Sequence, residues 1–275
     1  MRILLTNDDG VGAAGHVVLA QALLDEGHEV QVIGPLGERS GSGTAVGTIE
    51  HGANVAWQEI PLGTSPALTG IALDAPPALA VLTALGEVFG PRPDIVVSGI
   101  NPGHNVGRSV IFSGTVGAAL AATTLGIPSF AVSCGFAPDH RFDTAAAAAV
   151  RTLRWFETAG LPRICANINV PDMDLDDVRG VRSTHFSSGG MFSLGMRREG
   201  DRLVLTRGEP SVRNTEGSDL QAVRQGFIAV SILKPMDVDP GPEAGSLGAQ
   251  LAAAVAGAGG VSPRRPRREP CLRAG

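Results

Sequence analysis

The sequence predicts an α/β fold in which helices cover both faces of a parallel β-sheet. Strand-like apolar runs alternate with helical patterns over the first 170 residues, as they do in a series of βαβ units. The run DIVVSGI at 94–100 is apolar on both faces, which is typical of a strand buried inside a parallel sheet. After about residue 172 this alternation stops, which indicates a β-rich excursion toward the C-terminus.

The first predicted unit is a strand, RILLT at 2–6, followed by a helix over 14–26. Apolar residues of that segment, including Val17 and Leu24, share one face at helical spacing. Gly27 follows at the position where a glycine commonly ends a helix. The other predicted elements, in chain order, are strand 28–35, helix 76–89, strand 94–100, helix 115–125, strand 127–133, helix 143–159, strand 163–170, strand 202–206 and strand 226–233.

We expect one domain over residues 1–260. Within it, residues 172–226 are rich in Gly, Ser and Arg and predict an irregular hairpin extension, which we interpret as an oligomerisation element. The Pro- and Arg-rich residues 261–275 predict a disordered basic tail. We find no internal repeat.

Composition favours a soluble cytoplasmic protein. The 275 residues carry a formal charge of −5, and the last thirteen contribute about +4, so the body is clearly acidic. An acidic body argues against nucleic-acid binding. The three cysteines lie far apart without zinc-site spacing, which fits a reducing compartment. The chain starts directly with a strand, which leaves no room for a signal peptide, and no apolar run is long enough to span a membrane.

Two adjacent carboxylates, Asp8 and Asp9, follow the first strand in the sequence NDDG. Ligands bind at the carboxyl ends of the strands in an open parallel sheet, and a hard divalent cation would relieve the repulsion between the two charges. The alternative is an ordinary turn in which one Asp caps the next helix. The NDDG motif alone favours neither interpretation.

Polar loops follow other predicted strands as well. Ser40 lies in the Gly-rich loop PLGERSGSGT, and Asn101 lies in SGINPGHNVG. Each is individually more typical of a turn. If they share one sheet edge with Asp8 and Asp9, the four side chains make an oxygen-only site suited to Mg²⁺ or Mn²⁺.

The segment Ser113-Gly114-Thr115 precedes a predicted helix and could bind an anion through backbone N–H groups and the helix dipole. On this motif alone an ordinary N-cap is the better interpretation. His104 could act as a general acid or base, although a loop histidine is more often merely exposed.

Together these motifs resemble those of the SurE family of survival proteins, which are metal-dependent nucleotidases. The matching segments are ILLTNDDG, ERSG, VVSGIN with GHNVG, SGTVGAAL and, more weakly, NINVP and DLQAVRQGFIAVSIL. Their order and spacing agree with the family over roughly residues 1–233. The chain departs from the family pattern at Phe112, where a tyrosine is common.

The resemblance implies a Rossmann-like core, a homodimer or homotetramer, and one divalent metal ion, Mg²⁺ or Mn²⁺. The implied metal ligands are Asp8, Asp9, Ser40 and Asn101, with Asp8 and Asp9 also catalytic. The implied phosphate-binding residues are Asn105, Ser113, Gly114 and Thr115.

The resulting hypothesis is a phosphomonoesterase that hydrolyses nucleoside 5′-monophosphates, and also 3′-monophosphates, to nucleoside and phosphate. One alternative keeps the site but assigns a broader phosphatase or exopolyphosphatase activity. The other is a nucleotide-binding module without turnover. No nucleic-acid or membrane partner is expected.

Overall fold

The computed structural model describes residues 1–136, 140–189, 193–208 and 215–234, and the single residues 236, 246, 249, 250 and 252. The chain divides into two units, Met1–Pro235 and Met236–Gly275. The named helices and strands and the candidate site all belong to the first unit. The tail predicted at 261–275 lies outside the described residues.

Within the described part of Met1–Pro235 the chain forms eleven strands and five α-helices. The strands are β1 (Arg2–Thr6), β2 (Glu29–Pro35), β3 (Trp57–Pro61), β4 (Thr69–Leu73), β5 (Ile95–Pro102), β6 (Ser129–Cys134), β7 (Cys165–Val170), β8 (Val181–Ser183), β9 (Ser193–Glu199), β10 (Arg202–Gly208) and β11 (Ile228–Leu233). The helices are α1 (Ala14–Asp25), α2 (Pro77–Leu85), α3 (Gly114–Thr124), α4 (Phe142–Thr158) and α5 (Asp219–Arg224).

The central sheet has nine strands in the order β3-β4-β2-β1-β5-β6-β7-β11-β8. The six strands from β4 to β7 are mutually parallel, whereas β3 and β11 run antiparallel to their inner neighbours. The predicted fold class, a largely parallel sheet in an α/β protein, is confirmed. The hairpin β9–β10 forms a separate two-stranded sheet, as expected for the excursion.

Strand alternation distributes the core between the two faces of the sheet. Ile3 and Leu5 of β1 pack in the cluster that contains α1 and α4, and Leu4 packs in the cluster that contains α2 and α3. Buried side chains form both clusters, so helices cover both faces as predicted. Helix α5 packs on β11 and β7. None of the helices in the described residues is long and apolar enough to cross a bilayer.

Strands β3, β4 and β8 and helix α5 are not among the elements predicted from the sequence. Strand β3 is an edge strand whose residues are almost all exposed, so it carries no alternating apolar pattern to detect. Helix α5 has only six residues and depends on its N-cap, Ser218, whose hydroxyl accepts a hydrogen bond from Gln221 N at 3.3 Å. Both elements are stabilised by their tertiary neighbours more than by local sequence.

The sheet has a topological switch point between β1 and β5. From β1 the chain proceeds to β2 on one side, and β5 then lies on the other side of β1. The loops that follow these two strands therefore diverge to opposite faces and leave a crevice at the carboxyl edge of the sheet. Asp8 and Asp9 follow β1, and Asn105 follows β5, so the candidate residues lie at this crevice.

Candidate active site

The NDDG segment forms the turn that leads from β1 into α1. Asn7 is fully buried, and its side-chain amide donates to the Gly10 carbonyl oxygen at 2.8 Å. Gly10 has a φ of +107°, which favours glycine. The N-cap of α1 is Ala13, which makes no side-chain capping bond. The segment is thus a turn, but neither aspartate caps α1.

Asp8 instead lies against the N-terminus of a different helix, α3. Its side chain is 3 % exposed, and the Thr115 hydroxyl donates to Asp8 Oδ1. A Cβ added to Gly114 would lie 2.7 Å from the Asp8 Cβ, so only glycine permits this approach. Burial raises the pKa of Asp8, and the Thr115 hydroxyl and the backbone N–H groups of the helix start oppose that rise.

Asp9 has a less favourable environment for its charge. Burial, followed by repulsion from Asp8 and Glu38, raises the pKa of Asp9 to about 7. Its Oδ2 atom is buried and has no hydrogen-bond partner among the described residues. A buried carboxylate oxygen without a partner is destabilising unless a proton or a cation satisfies it.

The second candidate loop, after β2, is attached to the first by its backbone. Arg39 N donates to the Asp8 carbonyl oxygen at 2.7 Å. The next residue, Ser40, is exposed, and its hydroxyl donates to Glu38 Oε1 at 3.0 Å. Ser40 therefore directly follows a residue whose backbone binds Asp8, and its hydroxyl oxygen is still able to accept a hydrogen bond or bind a cation.

Helix α3 packs directly on this second loop. A Cβ added to Gly117 would overlap the Gly43 carbonyl oxygen, and a Cβ added to Gly114 would lie 2.6 Å from Ser42 Oγ. Ser42 Oγ is buried and without a hydrogen-bond partner in the described part of the chain. The two glycines of α3 thus allow the Ser40 loop and the start of the helix to share one wall of the crevice.

The third candidate loop follows β5, whose pairing with β6 shifts register between Ser98 and Asn101. Such an irregularity re-aims the residues that follow it. The Asn101 side-chain NH₂ donates to the Gly103 carbonyl oxygen at 2.5 Å. Because the NH₂ group is engaged in this way, a cation at this position would meet the amide oxygen of Asn101.

Asn105 is held by four hydrogen bonds. Its backbone N donates to Asn169 Oδ1 at 2.7 Å, and its carbonyl oxygen accepts from the side chains of Asn167 and Asn169 at 2.8 and 3.0 Å. Its side-chain NH₂ donates to Ser133 Oγ at 2.9 Å. Asn167, Asn169 and Ser133 are fully buried. Strands β6 and β7 therefore fix both the backbone and the side chain of Asn105.

The Ser-Gly-Thr segment begins α3, one residue earlier than predicted. Ser113 is the N-cap, and its hydroxyl oxygen accepts from Val116 N at 3.1 Å. The N-cap interpretation is therefore correct, and the hydroxyl hydrogen of Ser113 remains available to an anion. Thr115 is committed to Asp8. The positive end of the eleven-residue helix α3 faces this part of the crevice.

His104 attaches its loop to β7. Its Nε2 atom lies 2.8 Å from the Val170 carbonyl oxygen, and because a carbonyl can only accept, Nε2 carries the hydrogen. Burial lowers the pKa of His104, although the Val170 bond and nearby carboxylates oppose the change. The Nε2–H of His104 is therefore engaged with the backbone of β7.

The structure directly connects several of the predicted site residues: Asp8 touches Gly114 and Thr115, and its backbone binds the Ser40 loop. Asn101, predicted to lie in a loop, lies near the end of β5, the strand beside β1, because the pairing with β6 resumes after the register shift, and Asn105 lies in the loop that follows β5. The residues that support them, Ser42, Ser133, Asn167 and Asn169, are not among the predicted site residues. The alternating asparagines of NINV, inside an otherwise apolar strand, were the available signal, because a fully buried strand rarely carries amides without partners.

The arrangement suits a hard cation. Asp9 Oδ2, Asn7 Oδ1 and Ser42 Oγ are buried oxygens without hydrogen-bond partners among the described residues. No three His, Cys, Asp or Glu side chains converge in the part of the chain that the structure describes, so a cation here would depend on hydroxyl and amide oxygens together with the two carboxylates. Such donors are those of Mg²⁺ or Mn²⁺ sites rather than zinc sites.

The chain is similar to known proteins over most of its length. The family model described as Survival protein SurE matches residues 3–191. A protein named 5′-nucleotidase SurE from Syntrophobacter fumaroxidans is 43 % identical over 190 residues, which are 67 % of this chain and 72 % of that protein. One named 5′/3′-nucleotidase SurE from Edwardsiella ictaluri is 39 % identical over 247 residues, covering 87 % and 91 % of the two chains.

The fold also matches a solved structure. The crystal structure of a SurE protein from Aquifex aeolicus aligns with a TM-score of 0.72 at 26 % identity and covers 87 % of this chain and 95 % of that one. The likeness therefore extends well beyond the four motif loops and includes most of the sheet.

The raised pKa of Asp9 predicts that Asp9→Asn stabilises the metal-free protein. Because the pKa of Asp9 in the folded protein is about 7, well above the ordinary value of an aspartate, the carboxyl binds more protons in the folded than in the unfolded state at pH values between the two. Its contribution to stability is then greatest at low pH and declines as pH rises toward 7. In EDTA at pH 8, urea unfolding of Asp9→Asn should give a free energy of unfolding ~1–2 kcal/mol above wild type.

This gain should shrink as the pH is lowered to 5, where the wild-type carboxyl is protonated. The exposed Asp25 provides a matched control, since Asp25→Asn should change little at either pH. An Asp9→Asn protein less stable than wild type at pH 8 would contradict the account.

The packing of α3 on the Ser40 loop predicts that Gly117→Ala is destabilising. Alanine normally favours a helix over glycine by ~1 kcal/mol, but here its Cβ would overlap the Gly43 backbone. We expect a net loss of ~1–3 kcal/mol in urea unfolding. Gly12→Ala is the control, because a Cβ added there has no neighbour within 4 Å. Stabilisation by Gly117→Ala would show that the loop does not pack on α3 as described.

Proposed function

Because the chain belongs to the SurE family, we propose that it is a phosphoric monoester hydrolase acting on nucleoside 5′-monophosphates, and on 3′-monophosphates as well. The observation that carries the proposal is the junction of Asp8 with the start of α3. It brings a buried carboxylate, an exposed hydroxyl loop and a helix N-terminus to one crevice. The names of the relatives, 5′-nucleotidase and 5′/3′-nucleotidase, support the substrate class.

One divalent ion, Mg²⁺ or Mn²⁺, is part of the proposal. Asp8, Asp9, Ser40 and Asn101 would hold it. The buried Asp9 Oδ2, which has no hydrogen-bond partner among the described residues, supports this assignment. When bound, such an ion supplies Lewis-acid polarisation of a phosphoryl oxygen and a lowered pKa for a bound water. The same charge would remove the repulsion that raises the pKa of Asp9 in the protein alone.

The protein's own groups would bind and orient the substrate. Asn105 and the Ser113 hydroxyl are the phosphate donors, and the backbone N–H groups at the start of α3 add positive potential where negative charge develops. Asp8 is fixed by Thr115, so its carboxylate can accept a hydrogen bond from an attacking water and orient it. Hydrogen bonds within the protein already hold these groups without substrate, which lowers the reorganisation that the reaction requires.

Fewer of the described residues indicate how the protein would bind the leaving group than indicate how it would bind the phosphate. Phe112 and Ile111, which precede Ser113, are 66 % and 70 % exposed. An apolar surface therefore borders the proposed phosphate-binding residue Ser113. Such a surface suits a nucleobase or another apolar leaving group. Assembly into a homodimer or homotetramer, and a cytoplasmic location, stay predictions from the sequence.

The proposal is tested by phosphate release from AMP, GMP, 3′-AMP, ribose 5-phosphate and tripolyphosphate, with Mn²⁺ or Mg²⁺ and with EDTA. We expect nucleoside monophosphates to be the best substrates and EDTA to abolish turnover. Asp8→Asn should lower kcat/KM by at least ~100-fold, because the isosteric amide loses the charge but keeps the shape.

Asp201→Asn, an exposed change in the β9–β10 turn, should leave the rate unchanged. Undiminished hydrolysis by Asp8→Asn or in EDTA would contradict the mechanism. Preferential hydrolysis of tripolyphosphate would support the exopolyphosphatase alternative, and nucleotide binding without phosphate release would support the non-catalytic one.

A further inference from the structure

The buried carboxylate of Asp219 contacts the segment from Asn105 to Ser113, which contains the proposed phosphate-binding residues and is called the phosphate-binding segment below. Asp219 is the first residue of α5 and is fully buried. Its Oδ2 atom accepts from Gly107 N at 2.7 Å, and its Oδ1 atom accepts from Ser187 N at 2.9 Å and Leu220 N at 2.8 Å. One side chain thus joins three segments that are separated by up to 112 residues in sequence.

Gly107 is the point where this carboxylate reaches the candidate site. It begins the 3₁₀ turn Gly107–Phe112, which connects Asn105 to Ser113. Its φ is +66°, and an added Cβ would overlap the Gly189 carbonyl oxygen and lie 2.6 Å from Ser187 Oγ. The backbone around Ser187 is therefore packed directly on Gly107.

The rest of the segment is fixed from other directions. Asn105 is bound by the asparagines of β7, and Ser113 caps α3. Between them Val106 is fully buried with Leu220 and Val223 of α5. The bond to Asp219 is the polar contact that complements this packing, so Asp219 determines where the segment from Asn105 to Ser113 lies relative to α5.

We infer that Asp219 is a positioning residue for phosphate binding. It acts by accepting the Gly107 N–H and so holds Asn105 and Ser113 at the spacing that a phosphoryl group requires. This inference rests on the proposed function for its substrate, and it assigns no metal ligand and no contact with substrate to Asp219 itself.

The chemistry of the carboxylate suggests a selective variant. Both oxygens of Asp219 accept hydrogen bonds, whereas in Asp219→Asn one of them becomes an NH₂ group that can only donate. If the amide oxygen keeps Ser187 and Leu220, the NH₂ group faces the Gly107 N–H, and two donors oppose each other. The variant is nearly isosteric but breaks the link to the phosphate-binding segment.

The experiment compares wild type with Asp219→Asn in steady-state AMP hydrolysis, in inhibition by inorganic phosphate and in Mn²⁺ binding by calorimetry. We expect the KM for AMP and the inhibition constant of phosphate to rise together by ~10-fold or more, with a smaller change in kcat. The Mn²⁺ affinity should stay within about 3-fold of wild type, because the proposed ligands lie in other loops.

Asp94→Asn is the matched control. Asp94 also accepts a backbone hydrogen bond, from Arg2 N at 2.8 Å, but at the amino end of the sheet, so its loss should not move the KM or the phosphate inhibition constant. Unchanged values in folded Asp219→Asn would overturn the inference. A loss of Mn²⁺ affinity as large as the loss of phosphate affinity would also overturn it.

A measurement on wild type alone covers the case in which Asp219→Asn does not fold. Amide hydrogen exchange of Gly107, followed by NMR, should be as slow as that of the buried β5 amides. Rapid exchange would show that the bond to Asp219 does not hold the segment. If wild type releases no phosphate from any substrate, the proposed function fails. The amide exchange rate of Gly107 and the affinity of the protein for inorganic phosphate then still decide the role of Asp219.

Discussion

The candidate site depends on one interaction, the hydrogen bond from the Thr115 hydroxyl to the buried carboxylate of Asp8. A carboxylate with 3 % exposure is destabilising by itself, and the start of α3 offsets this through the hydroxyl and its backbone N–H groups. The same contact attaches α3 to the turn after β1. The Asp8 carbonyl oxygen also accepts a hydrogen bond from Arg39 N, which attaches the loop after β2. The turn after β1, the loop after β2 and the start of α3 therefore meet at Asp8.

Asp8 and Asp9 are adjacent in sequence but differ in what surrounds them. Asp8 has polar partners supplied by the protein, whereas Asp9 has two acidic neighbours and an oxygen that no described residue contacts by a hydrogen bond. One carboxylate is therefore satisfied within the fold, and the other remains suited to an external positive charge. This asymmetry explains why a doubled negative charge can follow a buried strand, and it connects the stability of the metal-free protein with its proposed chemistry.

Much of this arrangement could be predicted from the sequence because it follows from local patterns. Apolar runs predicted the strands of the sheet, and polar residues after the predicted strands, such as Asp8 and Asn101, indicated a candidate site at the carboxyl ends of those strands. The supporting contacts could not be predicted in the same way. Asp219 and Gly107 are 112 residues apart, and no periodicity indicates which distant N–H a carboxylate will meet. The exposed strand β3 lacks the alternation that reveals a strand.

The central claim is that Asp8, Asp9, Ser40 and Asn101 form a divalent-cation site beside the start of α3. Anomalous diffraction from crystals grown with Mn²⁺ and inorganic phosphate tests it most directly. We expect one manganese peak bounded by oxygens of these four residues, with phosphate density next to Asn105 and Ser113. A peak at other side chains, or no peak in crystals of a preparation whose activity requires Mn²⁺, would contradict the account.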